Sequence, residues 1–195
     1  MLQLIFSVTQ LVYAIYVLEN PSIALALAPL ALLNIMIDNE YIIKVPNTNI
    51  AFNVKGALVP IALTAIITLA SPLNGAYDIV IVLIGLAIAL SSACTMLMER
   101  MIAINVAVYV SLHYLASNIL FAGNPLLPAI LPLSASLGVV VGSDIFHYLH
   151  VARKSSVALV IGGAGERDAI YLSTLIIQLL EILSKLLLPY IPAKL

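Results

Sequence analysis

The chain has 195 residues, 63% of them hydrophobic and 9% charged, with a formal net charge of −1. An average soluble chain is roughly 45–50% apolar and about 25% charged, and a domain of this size cannot bury so much apolar surface. The near-neutral balance excludes nucleic acid as a partner, and a mean hydropathy of +1.16 makes a lipid bilayer the expected solvent.

The apolar runs are continuous, as in Ile79–Leu90, whereas membrane barrel strands alternate over about ten positions. Unpaired backbone groups are too costly in hydrocarbon for other designs. The expected fold is therefore an all-α polytopic membrane protein, one integral domain over residues 1–195. A spanning helix takes about 20 residues. Expected spans are Leu2–Leu18, Ser22–Ile37, Gly56–Ala70, Ile79–Met98, Met101–Ala122, Leu126–His150 and Asp168–Leu188. Met1-Leu2-Gln3 lacks a positive n-region, so the first run reads as a retained helix. Turn chemistry separates the spans at Glu19-Asn20-Pro21, Ser71–Gly75 and Gly123-Asn124-Pro125. Tyr41–Val45 and Ile50–Val54 flank Pro46-Asn47-Thr48-Asn49, a pattern that predicts a hairpin packed on helix ends. The single cysteine, Cys94, cannot form an internal disulfide and reads as a small buried hydrophobe.

Basic residues test this count. Lys44 and Lys55 fall in the second loop, Arg100 in the fourth, and Arg153 and Lys154 in the sixth; the odd loops hold none. The positive-inside rule then places the N-terminus and even loops in the cytoplasm of a cell-membrane protein, with the C-terminus outside. Lys194 fits this less well.

The sixth span carries Gly142-Ser143-Asp144, and a mid-bilayer carboxylate costs about 2.5–3.5 kcal/mol even on the mild insertion scale. Such a residue faces a bundle interior or a water-filled cavity, and the alternative is a neutral acid bonded to a neighbouring carbonyl. His147 and His150 follow at helical spacing, but His150 adjoins the basic loop and reads as interfacial; no metal or cofactor is expected. His113, alone in the fifth span, reads as structural. Next, Val157–Gly165 is too short to cross as a helix, so residues 157–167 read as a re-entrant or buried extended segment. Asp144 lies roughly 13 Å below Arg153 along a helix, a depth that an extended run regains in about five residues. Gly162, Gly163, Gly165 and Asp168 can thus return to the level of Asp144, the glycines allowing close backbone approach. In the last span Asp168, Tyr171, Thr174, Gln178, Glu181 and Lys185 share one face. That stripe should line an interior cleft or partner; the alternative is a helix flat on the membrane with Glu181 and Lys185 paired.

Two blocks resemble a prokaryotic membrane-protein family of unknown function, domain-of-unknown-function family sixteen-fourteen. Asn53-Val54-Lys55-Gly56-Ala57-Leu58-Val59-Pro60 is similar to its Asn-Val-Gly-Gly-Ala-Leu-Ile-Pro segment. Gly142-Ser143-Asp144 with Ile161-Gly162-Gly163-Ala164-Gly165 and Asp168-Ala169-Ile170 is similar to its Gly-Ala-Asp and Ile-Gly-Gly-Ala-Gly-x-x-Asp-Gly-Ile pattern. Lys55 and Ala169 stand where the pattern has glycine. The resemblance implies a membrane protein with two acidic residues and no assigned activity. A looser similarity is to presenilin-type intramembrane aspartyl proteases, which carry one Asp in a helix and a second after a Gly-x-Gly turn. Here Glu166-Arg167 separate the glycines from Asp168, and no Pro-Ala-Leu element is present near the C-terminus.

Three functions fit these residues. In an aspartyl-protease-like hydrolase, Asp144 and Asp168 are the catalytic pair, with Glu166 as the reserve second carboxylate. Gly142, Ser143, Gly162, Gly163, Gly165 and Tyr171 then bind substrate. In a proton- or cation-coupled transporter or channel, the same residues bind the ion. A non-enzymatic subunit would instead use the polar stripe to dock a membrane-protein partner or a second copy.

Overall fold

A computed structural model describes residues 1–72, 76–98, 101–152 and 158–187. It is mostly helical, at 74%, with seven helices. These are α1 (Leu2–Val17), α2 (Pro21–Met36), α3 (Val54–Ala70), α4 (Tyr77–Ala93), α5 (Val106–Leu120), α6 (Leu127–His150) and α7 (Ala169–Leu187). Strands are β1 (Ile42–Lys44), β2 (Ile50–Asn53), β3 (Thr95–Met98), β4 (Met101–Ile104) and β5 (Leu159–Ile161). Of the helices, α6 and α7 are long and apolar enough to cross a membrane, and the other five are shorter apolar rods.

Helix starts follow side-chain oxygens. Asn20 accepts from the Ser22 and Ile23 amides ahead of α2, with Pro21 at the first helical position. Asn53 accepts from the Gly56 amide at 2.7 Å and Asn105 from the Val108 amide at 3.2 Å. Each satisfies an amide that the first turn leaves without a partner.

The expected hairpin is present, with β1 and β2 antiparallel and Ile43 opposite Phe52. It does not stand alone. β5 runs parallel to β2, Ala51 facing Val160, to give a three-stranded sheet in the order β1-β2-β5.

Several expectations need correction. Val54 and Lys55 belong to a widened π-helical turn that opens α3, not to a strand or a loop, and Lys55 is 2% exposed. Lys55 therefore drops out of the loop-charge tally; Arg100, Arg153, Lys154 and Lys194 lie outside the described residues. The fourth and fifth spans do not run to Met98 and from Met101. β3 and β4 form a second antiparallel hairpin there, because short apolar runs carry no helical period and Thr95, Ile102 and Ile104 suit a strand. Cys94 ends α4 and is only partly buried.

Packing between α4 and α6 depends on absent side chains. A Cβ on Gly138 would lie 2.6 Å from Ala87 Cβ, and one on Gly142 would lie 2.3 Å from the Ile88 carbonyl oxygen. Ser91 Oγ donates to the Gly138 carbonyl across this contact at 2.5 Å. Four-residue glycine spacing brings two helix backbones together as small residues do in membrane bundles. Gly85, on α4, has nothing within 4 Å of such a Cβ. Gly142→Leu should therefore destabilise by about 1–3 kcal/mol or more through overpacking. Gly85→Ala should stabilise α4 by about 0.5–1 kcal/mol, since helical glycine carries an entropic cost. Circular-dichroism melts in one detergent check both.

Candidate functional site

The site forms where the two hairpin-proximal segments meet. Gly56, in the first turn of α3, packs on the loop after β5: a Cβ there would fall 2.1 Å from the Gly162 carbonyl oxygen and 2.9 Å from that of Gly165. In return, a Cβ on Gly162 would fall 2.6 Å from the Ala57 amide nitrogen. Gly162 and Gly165 also have φ of +74° and +60°, values that L side chains rarely adopt. The two family-like blocks, far apart in sequence, are thus in backbone contact.

The loop tightens through the Gly162–Ala164 turn and one 3₁₀ turn, Gly165–Arg167, before Asp168 starts α7. Asp168 accepts from the Ile170 amide at 3.0 Å through Oδ1 and from the Ala164 amide at 3.3 Å through Oδ2. It is at once the N-cap of α7 and the clasp of the glycine turn. Its charge also complements the positive end of the helix dipole.

Asp144 approaches from α6, where residues Val139–Ile145 form a second widened π-helical turn. Two contacts accompany that widening. Gly142 is pressed on α4, and His147 Nδ1 lies 3.0 Å from both the Gly142 and Ser143 carbonyl oxygens. Such insertions re-aim side chains and recur at functional sites. Asp144 and Asp168 are both half-buried, and the Asp168 charge acts on Asp144.

Around the turn is a ring of polar groups, of which Gln3 and Asn39 were not singled out by the sequence. Asn53 Nδ2 donates to the Asn39 carbonyl, and Asn39 Oδ1 accepts from the Glu166 amide at 3.4 Å. Glu166 accepts from the Gln3 amide at 3.1 Å, and the buried Lys55 ammonium donates to Gln3 Oε1. Glu166 therefore braces the N-terminus of α1. Gly163, Ala164 and Arg167 are exposed, so this end of the bundle is open. Among the described residues no cluster of three His, Cys, Asp or Glu side chains is placed to hold a metal.

Tyr171 lies one turn deeper. It is fully buried, stacked on Phe6 at 4.0 Å between centroids, and its hydroxyl accepts from Asn34 at 3.1 Å. The rest of the α7 stripe points inward too: Thr174 and Gln178 are 0% exposed and Glu181 is 8% exposed. Gln178 and Gln10 exchange amide hydrogen bonds of 2.6 and 2.8 Å. Lys185 pairs with Glu19 at 2.6 Å, not with Glu181, so the surface-helix alternative fails. That ion pair holds the exposed Glu19 carboxyl below its ordinary range, the Lys185 hydrogen bond being the larger cause and its charge the second. Gln3, Ser7 and Gln10 recur at helical spacing on α1, a polar stripe that would have revealed this partner face. His113 is buried at 2.9 Å from Ser134 Oγ and stacked with Tyr109, a structural role as expected. His150 is exposed.

Two predictions follow from this packing. Gly56→Ala should lower the melting temperature strongly, since its new methyl meets backbone, whereas Gly163→Ala meets only the Val160 carbonyl at 3.0 Å and should be far milder. Gln178→Leu should cost about 1–3 kcal/mol by stranding the Gln10 amide, and adding Gln10→Leu should recover most of it. Thermal melts of the four variants measure both effects.

No curated protein and no solved structure gives a match to the chain. One family model does, described as a protein of unknown function (DUF1614), and it covers residues 5–180. The chain belongs to the DUF1614 family.

Proposed function

We propose that this chain is a multi-pass membrane protein whose Asp144 and Asp168 form the acid–base pair of an aspartyl-type hydrolase acting on extended peptide segments. Its exterior supports the membrane setting. Leu25, Leu32, Leu69, Ile81 and Ile119 are 62–78% exposed on four different helices. The interior holds Gln10, Asn34, His113 and Gln178 at 0% exposure. A soluble protein sorts these the other way. The seven rods are the seven proposed spans, with the sheet end cytoplasmic, where exposed Lys44 lies. Five rods are shorter than about 20 residues, and local thinning of the bilayer accommodates them.

The observation that carries the hydrolase reading is a juxtaposition. The Asp168 charge acts on Asp144 of the neighbouring helix, and Asp168 follows, through one glycine turn, a strand with a free edge. β5 is the outer strand of its sheet, and among the described residues no strand pairs with its far side. Val160 is 37% exposed there. A bound peptide can add to that edge through main-chain hydrogen bonds, which would present its next peptide bond to the acids.

Asp168, with amide donors on both oxygens, is suited to carry the negative charge, leaving the proton on Asp144. The pair then holds one water. Asp168 removes its proton as the oxygen attacks the peptide carbonyl carbon, and Asp144 delivers its proton to the carbonyl oxygen. Asp168 then passes the water proton to the amide nitrogen while Asp144 takes back a proton from a diol hydroxyl, and the C–N bond breaks to give an amine and a carboxylic acid. An acid in one helix and a second after a glycine turn at the start of the next is an order similar to presenilin-type proteases, with Glu166-Arg167 intervening here.

Asparagine is the informative replacement, because at position 168 it retains the helix cap. Asp144→Asn and Asp168→Asn should each reduce cleavage of a single-span reporter peptide in lipid vesicles by at least about 10²-fold, the usual scale of a general acid or base. Melting behaviour should be preserved, and mass spectrometry of the products gives the readout. Undiminished cleavage in both variants, or none by the unaltered protein on any reporter, would defeat the reading.

A further inference from the structure

A second acidic site lies at the opposite end of α7. Glu181 is 8% exposed, and its Oε1 atom is buried without a hydrogen-bond partner among the described residues. The titratable groups facing it are phenols: Tyr13 on α1 and Tyr114 on α5 lie within electrostatic reach. The nearest cation on its own helix is Lys185, which is turned away to Glu19 and to the Val17 carbonyl at 3.2 Å. An ionised carboxylate with no counter-charge is costly in such a place, so a ligand that neutralises it is required.

Geometry shows where that ligand enters. A cleft of about 570 Å³ opens at this end of the bundle, lined by Val17, Glu19, Ser71, Pro125 and Pro128 among others. Lys185 reaches the cleft rim, and Glu181 is one helical turn deeper, about 6 Å along the axis. Tyr13 adjoins the cleft: its hydroxyl donates to the carbonyl of Pro128, a cleft residue, at 2.5 Å. On the other side, the reciprocal Gln10–Gln178 pair shuts Glu181 off from Tyr171 and the Asp144–Asp168 end. Amides locked in mutual hydrogen bonds relay protons poorly, so the two acidic sites belong to separate compartments.

Donor supply decides the ligand. Hard divalent cations take about six or more oxygens, but the Gln10 and Gln178 oxygens are occupied with each other and the Tyr13 hydroxyl proton is committed to Pro128. One carboxylate and two phenols are too few for a metal ion and enough for a proton. We propose that Glu181 is a dedicated proton-binding site, loaded from the side of the Ser71–Pro128 cleft and insulated from the Asp144–Asp168 pair. It stands whether or not that pair is hydrolytic.

Dicyclohexylcarbodiimide tests this on the unaltered protein in lipid discs. The reagent adds only to a neutral acid: the acid proton moves to a carbodiimide nitrogen, the carboxylate oxygen bonds the central carbon, and the adduct rearranges to a stable N-acylurea. Peptide mass spectrometry should find the adduct on Glu181, falling as pH rises and unchanged by Na⁺ or K⁺ at fixed pH. Ser71→Trp, which narrows the cleft, should slow Glu181 labelling several-fold without altering the rate at Asp144. Absence of a Glu181 adduct at every pH, protection by either cation, or equal rates in Ser71→Trp would each overturn the proposal.

Discussion

Backbone contact between Gly56 and Gly162 is the constraint from which the rest of this end of the molecule follows. With no Cβ on either residue, the first turn of α3 and the loop after β5 approach to a distance that no side chain would allow. The approach fixes β5 beside β2, because Asn53 caps α3 at the very end of β2. It also fixes where α7 begins, since the turn that Gly162 opens is closed by Asp168. The position of Asp168 is therefore set by backbone packing.

The same economy of side chains recurs on α6. Gly138 and Gly142 seat that helix on α4, and Asp144 lies in the π-helical turn Val139–Ile145 that includes Gly142. Two widened turns, one opening α3 and one in α6, thus flank the glycine loop. Each loosens the regular hydrogen-bond ladder where a helix must present something other than its usual face. Beneath them polar groups are paired across helices, Asn34 with Tyr171 and Gln10 with Gln178, and a third widened turn, Tyr13–Val17, lies in α1. Rigidity at depth supports an open, polar end.

Much of this was legible in the sequence. Composition alone dictated helices with apolar exteriors, and turn residues marked their breaks to within a few positions. The first hairpin was visible in β-prone runs around Pro46–Asn49. The inward face of α7 was visible in its spacing. What escaped were features set by contacts rather than by pattern. Thr95–Ile104 is apolar throughout, so periodicity could not separate the end of a helix from a strand. Lys55 looked like a loop cation because nothing local reveals that Gln3 waits to receive it. Pairing of β2 with β5 joins segments more than a hundred residues apart, beyond any local signal. Gly138 went unremarked because its meaning lies wholly in Ala87 and Ser91 across the interface.

The two ends of α7 illustrate how one stripe serves opposite demands. Asp168 is at the helix N-terminus, where amides and the dipole welcome negative charge. Glu181 is more than three turns on, where its Oε1 has no hydrogen-bond partner among the described residues and two phenols, Tyr13 and Tyr114, feel its charge. A carboxylate at the first position is suited to act as a base, while one at the second is tolerated chiefly when neutral. Between them the Gln10–Gln178 pair satisfies two amides that neither lipid nor water can reach, and by doing so it breaks what would otherwise be a continuous polar thread. A helix that needed only to bury a stripe would not require both an acid at each end and a closed amide pair in the middle. That arrangement makes sense if the two acids answer to different sides of the bundle.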